Sequence, residues 1–262
     1  MANVPSGLAP TNLVTGQQVW RRNLPNTSPA WNNLDALLYL PPDFLMAPTK
    51  TYPLVISIHG RGGFTLNAAH TAPNSYVEGF IRQVPNTYDA VVIGPDMHPV
   101  NDRTDFFPDN PGQTFKADMV ARLILDAIQH LRVDPKKVVV TGLSYGGAMT
   151  EEMMLIYQPM LAGVAVVAMA PPNRYNFTPA NTCVFTSLPI QVAGNDGDGV
   201  LAASEWTGYP GYTGFLTVLS ACPGYSASRF TTTFYPGSAH SGWDQYYATA
   251  STQLWLRSQS RP

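Results

Sequence analysis

Val138-Val139-Val140-Thr141-Gly142-Leu143-Ser144-Tyr145-Gly146-Gly147 is the stretch on which the fold turns. A β-branched run enters Gly-x-Ser-x-Gly directly, and apolar residues at helical spacing (Ala148, Met149, Met153, Ile156) follow it. Strand, sharp turn and helix form the context in which such a serine becomes a nucleophile elbow. The turn predicts a strained backbone at Ser144. Gly142 and Gly146 are positions where any side chain would meet the neighbouring strand or helix. The hydroxyl is thereby lifted clear of the sheet edge, at the positive end of a helix. An ordinary turn carrying a surface serine is the blander reading, and the flanking strand and helix argue against it.

On either side, apolar runs and helical patterns alternate. Leu34–Leu40, Leu54–Ile58, Ala90–Ile93, Gly163–Ala168, Pro189–Ala193 and Phe230–Tyr235 read as strands. Met119, Val120, Leu123, Ile124, Ala127, Ile128 and Leu131 form one continuous apolar stripe. They predict a helix with Thr114 as N-cap, stopped by Asp134-Pro135. Helical character is also expected at 69–85, in part of 200–221, and at 243–257. Residues 1–30 read as an extended arm or a first edge strand. The alternation predicts one α/β domain over 1–262, with a mostly parallel, doubly wound sheet flanked by helices. Residues 170–187 are too short for a cap domain.

Composition narrows the function classes. Charged residues make up only 12% of the 262, about half the usual share, and the net charge is −2. Nothing here suits a nucleic acid or an anionic membrane as partner. No apolar run reaches transmembrane length, and residues 1–30 lack a signal-peptide core. Cys183 and Cys222 are the whole thiol inventory. A disulfide between them would stabilise by about 4 kcal/mol on the chain-entropy model; two buried free thiols in a cytosolic enzyme are the alternative. Low charge and abundant Asn and Thr favour a secreted, extracellular protein. Asn26-Thr27-Ser28 and Asn176-Phe177-Thr178 match the glycosylation sequon. No cofactor or metal site is predicted: the Asp196-Gly197-Asp198-Gly199 text does not align with a calcium loop, and no phosphate-binding motif occurs.

In a parallel sheet, ligands bind beyond the carboxyl ends of the strands. A serine needs a base, and a histidine base needs a carboxylate to fix its tautomer. His240, in Pro236-Gly237-Ser238-Ala239-His240 after the last strand, is the base candidate. The other four histidines fit less well: His59 shapes a turn, His98 lies in a long loop, His70 in a surface-like stretch and His130 on the amphipathic helix. Asp198 is the acid candidate, with Val200 packing inward to anchor its loop; Asp196, two residues earlier, is the alternative. Oxyanion donors are expected from the backbone N–H of Tyr145 and of Arg61, with Gly62 as the near alternative, in His59-Gly60-Arg61-Gly62-Gly63. Phe64, Trp206 and Trp243 are candidate substrate-binding aromatics, with Tyr145, Tyr209 and Tyr212 nearby.

Three blocks carry a family likeness: the His59-Gly60 turn, Val133-Asp134-Pro135 running through Ser144 to Thr150, and the late Gly237-x-x-His240. Through them the chain resembles the α/β-hydrolase superfamily. The nearest look is to polyhydroxyalkanoate depolymerase-like and feruloyl-esterase-like enzymes. That resemblance implies a cofactor-free serine esterase acting through an acyl-enzyme on aromatic or polyester substrates, polymers included. The Asp-Gly-Asp-Gly-Val segment is also similar to the acid loop of cutinase-type polyester hydrolases, which implies the later acid, Asp198. One departure stands: Ala193-Gly194 replaces the usual His-Gly at that strand end, with the acid spacing off by one. Two other readings are open: a serine peptidase of prolyl-oligopeptidase type, and a non-catalytic binding protein of the same fold.

Overall fold

The computed structural model describes residues 13–20, 35–61, 63–67, 69, 71–75, 77–97, 115–172, 177–208 and 214–262. The expectations for Asn26, Gly62, His70, His98, Thr114, Asn176, Tyr209 and Tyr212 lie outside the described residues.

Among the described residues eight strands occur in chain order: β1 (Gly16–Trp20), β2 (Ala36–Leu40), β3 (Tyr52–Ile58), β4 (Val91–Pro95), β5 (Val133–Leu143), β6 (Gly163–Val167), β7 (Ile190–Asn195) and β8 (Phe230–Tyr235). The helices are α1 (Phe80–Gln83), α2 (Phe115–His130), α3 (Tyr145–Tyr157), α4 (Pro179–Thr182), α5 (Ala203–Thr207), α6 (Phe215–Ser220), α7 (Trp243–Ala248) and α8 (Ala250–Ser258). One sheet holds all eight strands, in the order β1-β2-β4-β3-β5-β6-β7-β8. β1 pairs antiparallel with β2, and β2 antiparallel with β4; every other pairing is parallel. The stretch 1–30 thus contributes an edge strand.

The strands alternate their side chains between two cores, as period-two geometry requires. Leu54, Ile56 and Ile58 of β3, Val138 and Val140 of β5, and Val164 and Val166 of β6 face one side, where α2, α3, α5 and α6 cover them. Val55, Val139, Ala165 and Val167 face the other, under Phe80 and Ile81 of α1, Tyr246 and Tyr247 of α7 and Leu256 of α8. Both faces being dry explains why the strands read as continuous apolar runs. Thr141, fully buried on β5, is satisfied by Ala165 O and the Tyr247 hydroxyl, each at 2.9 Å.

Two helix expectations are corrected. Of the helix predicted over 69–85, only α1 forms among the described residues. Gly79, at φ 86°, turns the chain into it, and isolated bridges pair Leu66 with Pro73 and Phe64 with Val77. The closing helix is two pieces: Thr249 leaves helical geometry and its hydroxyl accepts the Thr252 N–H as the cap of α8. Cys183 and Cys222 form a disulfide, tying the segment after α4 to the turn after α6. Among the described residues no helix is long and apolar enough to cross a membrane.

Candidate active site

Leu143 ends β5 and Tyr145 begins α3, so the whole reversal is made at Ser144. Its φ of 53° and ψ of −121° lie where non-glycine residues rarely go. The surroundings impose this geometry. The Ser144 N–H donates to Val167 O at 2.8 Å on β6, and Ser144 O accepts the Ala148 N–H at 3.0 Å. A Cβ on Gly142 would overlap the Gly146 carbonyl, one on Gly146 the carbonyls of Ile58 and His59, and one on Gly147 would sit 2.8 Å from the Met169 Cβ. The glycines let α3 start against the end of β3, which is the close approach the motif predicted.

The loops after β7 and β8 bring an acid and a base to this hydroxyl. His240 Nε2 lies 2.8 Å from Ser144 Oγ, and His240 Nδ1 lies 2.8 Å from Asp198 Oδ2. The Asp198 side chain is buried (2% exposed), whereas the imidazole keeps 35% of its surface in solvent. The second Asp198 oxygen accepts the Val200 N–H at 2.8 Å. With the carboxylate on Nδ1, the proton rests there and Nε2 presents a lone pair to the serine.

Asp196 serves the turn instead: it is exposed, and its Oδ1 accepts the Gly237 N–H at 3.1 Å. The expected anchor is corrected. Val200 is 41% exposed, and Leu201, fully buried, packs the loop down in its place. Val200 supports the acid through its backbone because the turn points its side chain outward. Sequence reasoning missed Asn195. Its amide donates to Ala239 O at 2.9 Å and to Ser241 Oγ at 2.8 Å, clamping the residues on both sides of His240. Only its place at a strand end could have drawn notice.

Opposite this group lies the turn after β3. Buried His59 accepts the Met97 N–H on Nε2 at 3.0 Å, so its Nδ1 carries the proton and lies 2.8 Å from Gly60 O. Gly60 O also accepts the Gly63 N–H at 3.0 Å. In a trans peptide the carbonyl and the next N–H point in opposite directions. The Gly60 carbonyl is held inward, so the Arg61 N–H faces away from it. The Tyr145 N–H opens α3, where no intrahelical acceptor exists. The side chains of these residues meet as well: Arg61 Nη1 donates to the Tyr145 hydroxyl at 3.0 Å, with the guanidinium 5.1 Å from the ring centroid.

Of the predicted aromatics, Trp243 packs edge-on to the His240 ring with centroids 5.5 Å apart, and Phe64 is half-buried. Trp206 is corrected. It is fully buried, donates to Met169 O at 2.9 Å and packs against Phe215 and Phe230, so it is core and no cleft wall. Among the described residues no group of three or more His, Cys, Asp or Glu is arranged to hold a metal ion.

The fold is that of the α/β-hydrolases, an eight-stranded, mostly parallel sheet flanked by helices among the described residues. No family model matches the chain. It is similar to poly(3-hydroxyalkanoate) depolymerase C of Paucimonas lemoignei, at 28% identity over 61% of this chain and 37% of that protein. A poly(3-hydroxybutyrate) depolymerase of Ralstonia pickettii is 26% identical over 61% of this chain and 33% of its own length. The chain therefore spans about a third of the curated relatives it matches. Among solved structures, a ferulic acid esterase superposes with a TM-score of 0.61 at 14% identity, covering 93% of this chain and 98% of that one. A Porphyromonas gingivalis dipeptidyl peptidase 4 gives 0.60 at 16% identity, covering 92% and 35%.

Proposed function

We propose that the chain is a serine carboxylic-ester hydrolase, with Ser144 as nucleophile, His240 as base and then acid, and Asp198 as the carboxylate that fixes and steadies the imidazole. The observation that carries this is the linear contact from Ser144 Oγ through both ring nitrogens of His240 to the buried Asp198. As Oγ attacks the ester carbonyl, Nε2 takes its proton, and the imidazolium is stabilised by the adjacent carboxylate. The tetrahedral oxyanion forms between the N–H groups of Tyr145 and Arg61, each worth about 3–4 kcal/mol of barrier. Nε2 then returns the proton to the departing alcohol, leaving an acyl-serine. A water, deprotonated by the same nitrogen, releases the acid.

The substrate class proposed is a polyester or an aromatic, feruloyl-type ester, and the site of action extracellular. The depolymerase names of two relatives support the first, and the disulfide supports the second. Trp243 and Phe64 are proposed as the aromatic faces against which an acyl or polymer unit rests, with Tyr145 beside the nucleophile. The test is a panel of short p-nitrophenyl esters, methyl ferulate, polyhydroxyalkanoate oligomers and peptide amides. Ester cleavage that disappears in Ser144→Ala supports the proposal. Cleavage of peptides alone would move the chain to the peptidase reading, and an inert panel would sink hydrolysis altogether.

A further inference from the structure

The Gly60–Gly63 turn is filled by a carboxylate that neither the serine nor the histidine uses. Glu78 lies just before α1 and sends Oε2 back to the Gly60 N–H, 3.3 Å away. A Cβ on Gly63 would overlap Oε2 and sit 2.8 Å from the Glu78 Cδ; one on Gly60 would lie 3.4 Å from Oε2. Glu78 thus occupies the space a side chain at Gly63 would need, while at Gly60 the nearer obstacle is the Leu143 Cδ1, 2.8 Å from such a Cβ; Gly63 therefore has a physical reason beyond flexibility. Glu78 itself stands on a fixed base. Gly79 turns at φ 86° over Ser57, whose Oγ accepts the Ile81 N–H at 3.0 Å. Burial pushes the Glu78 carboxyl above its ordinary range; the Gly60 N–H and Arg82 pull it down and Asp244 pushes it up. Arg82 and Gln83 reach Asp244 at 3.6 and 3.2 Å, next to the Trp243 that packs on His240.

We propose that Glu78 is a positioning residue for the oxyanion donors: its carboxylate seats the Gly60–Gly63 turn so that the Arg61 N–H faces the reacting carbonyl. His59 and Gly63 hold the Gly60 carbonyl, which shares its peptide with the Arg61 N–H, and Glu78 holds the Gly60 N–H in the peptide before it, so Gly60 is fixed on both sides of its Cα and cannot swing the Arg61 N–H away. This deepens the serine-esterase reading and rests on it.

The experiment is steady-state kinetics on a short p-nitrophenyl ester, with fluorophosphonate labelling of Ser144, for wild type, Glu78→Ala, Glu78→Gln, Gly63→Ala and Glu78→Ala/Gly63→Ala. Losing an oxyanion donor outright costs about 100–1,000-fold in kcat; loosening one should cost about 10–100-fold. The expected result is that loss in Glu78→Ala, carried by kcat with KM within about 3-fold, and slower but complete labelling of Ser144. Glu78→Gln keeps an acceptor for the Gly60 N–H and should recover to within about 5-fold of wild type. Gly63→Ala should be impaired alone and no worse once the carboxylate it strikes is gone, a coupling of opposite sign in the double variant. Glu78→Ala with wild-type kcat, equal loss in Glu78→Ala and Glu78→Gln, or additive losses at 63 and 78 would each overturn the role of Glu78 while leaving the esterase standing. A wild type that neither labels at Ser144 nor cleaves the ester would take both down.

Discussion

Replacing Asp198 by Asn puts the proposed chemistry under a test the geometry makes quantitative. The side chain has two fixed neighbours: Oδ1 faces the Val200 N–H and Oδ2 faces His240 Nδ1, both at 2.8 Å. An Asn of the same shape can leave only one oxygen among those places. If the oxygen stays with Val200, the amide NH2 faces Nδ1. The ring must then accept there and carry its proton on Nε2, where it points at Ser144 instead of receiving from it. If the amide flips, two donors meet at Val200 in a buried site, which costs about 1–3 kcal/mol. The first arrangement should therefore dominate, and the base is in the wrong tautomer. That error is worth about 10⁴ in kcat where it has been isolated, or about 5.5 kcal/mol of barrier. Asp196→Asn is the control: its exposed carboxylate accepts one turn N–H, which an amide oxygen can replace, so kcat should stay within about 3-fold. The assay is ester hydrolysis under saturation, with thermal unfolding to show both variants folded. Asp198→Asn retaining more than a tenth of kcat, or Asp196→Asn losing more than Asp198→Asn, would refute the assignment of the acid.

Other outcomes follow from the same contacts. Asn195→Ala removes both donors that hold Ala239 and Ser241, so kcat should fall about 10-fold or more with KM little changed, measured on the same ester. Gly146→Ala drives a methyl into the Ile58 and His59 carbonyls and should cost at least about 2 kcal/mol of stability, read by denaturant unfolding, together with most activity. Reducing the Cys183–Cys222 disulfide should lower stability by up to about 4 kcal/mol; an unchanged midpoint under reductant contradicts this. Glu151 is buried on α3, and burial, with Glu152 adding to it, holds its carboxyl well above the ordinary range. The unfolded chain releases that proton first, so as pH rises through the ordinary carboxylate range and on to the raised value, Glu151 withdraws at most about 1.4 kcal/mol of stability per pH unit. Glu151→Gln should therefore be no gain near pH 4 and an increasing gain towards pH 8; a difference in midpoint that does not change with pH would contradict it.

How much of this was legible in the chain depended on how local the physics is. The strand from Val138 to Leu143 and the glycines around Ser144 are dictated by neighbours in sequence, so the elbow could be read directly. The strand ends fixed where Asp198 and His240 had to lie, because a parallel sheet gathers its loops at one edge. What failed was orientation within a loop. Val200 and Leu201 are both apolar, and only the turn between them decides which is buried. Proximity in sequence places Trp206 at the cleft, yet its ring fills the space beside Phe215 and Phe230, and the contact with β8 is one that sequence neighbours do not reveal. The 69–85 stretch carries helix-compatible residues, but the bridges of Pro73 to Leu66 and of Val77 to Phe64, and the positive φ of Gly79, override them. Asn195 and Glu78 make their hydrogen bonds to groups far away in sequence, and no periodicity marks such residues.

The most direct measurement is reaction of the purified chain with a fluorophosphonate, followed by mass mapping of the adduct. A single adduct on Ser144 is expected, absent in Ser144→Ala and strongly slowed in His240→Ala. No adduct, or an adduct elsewhere with ester hydrolysis surviving Ser144→Ala, would contradict the claim that this hydroxyl is the nucleophile.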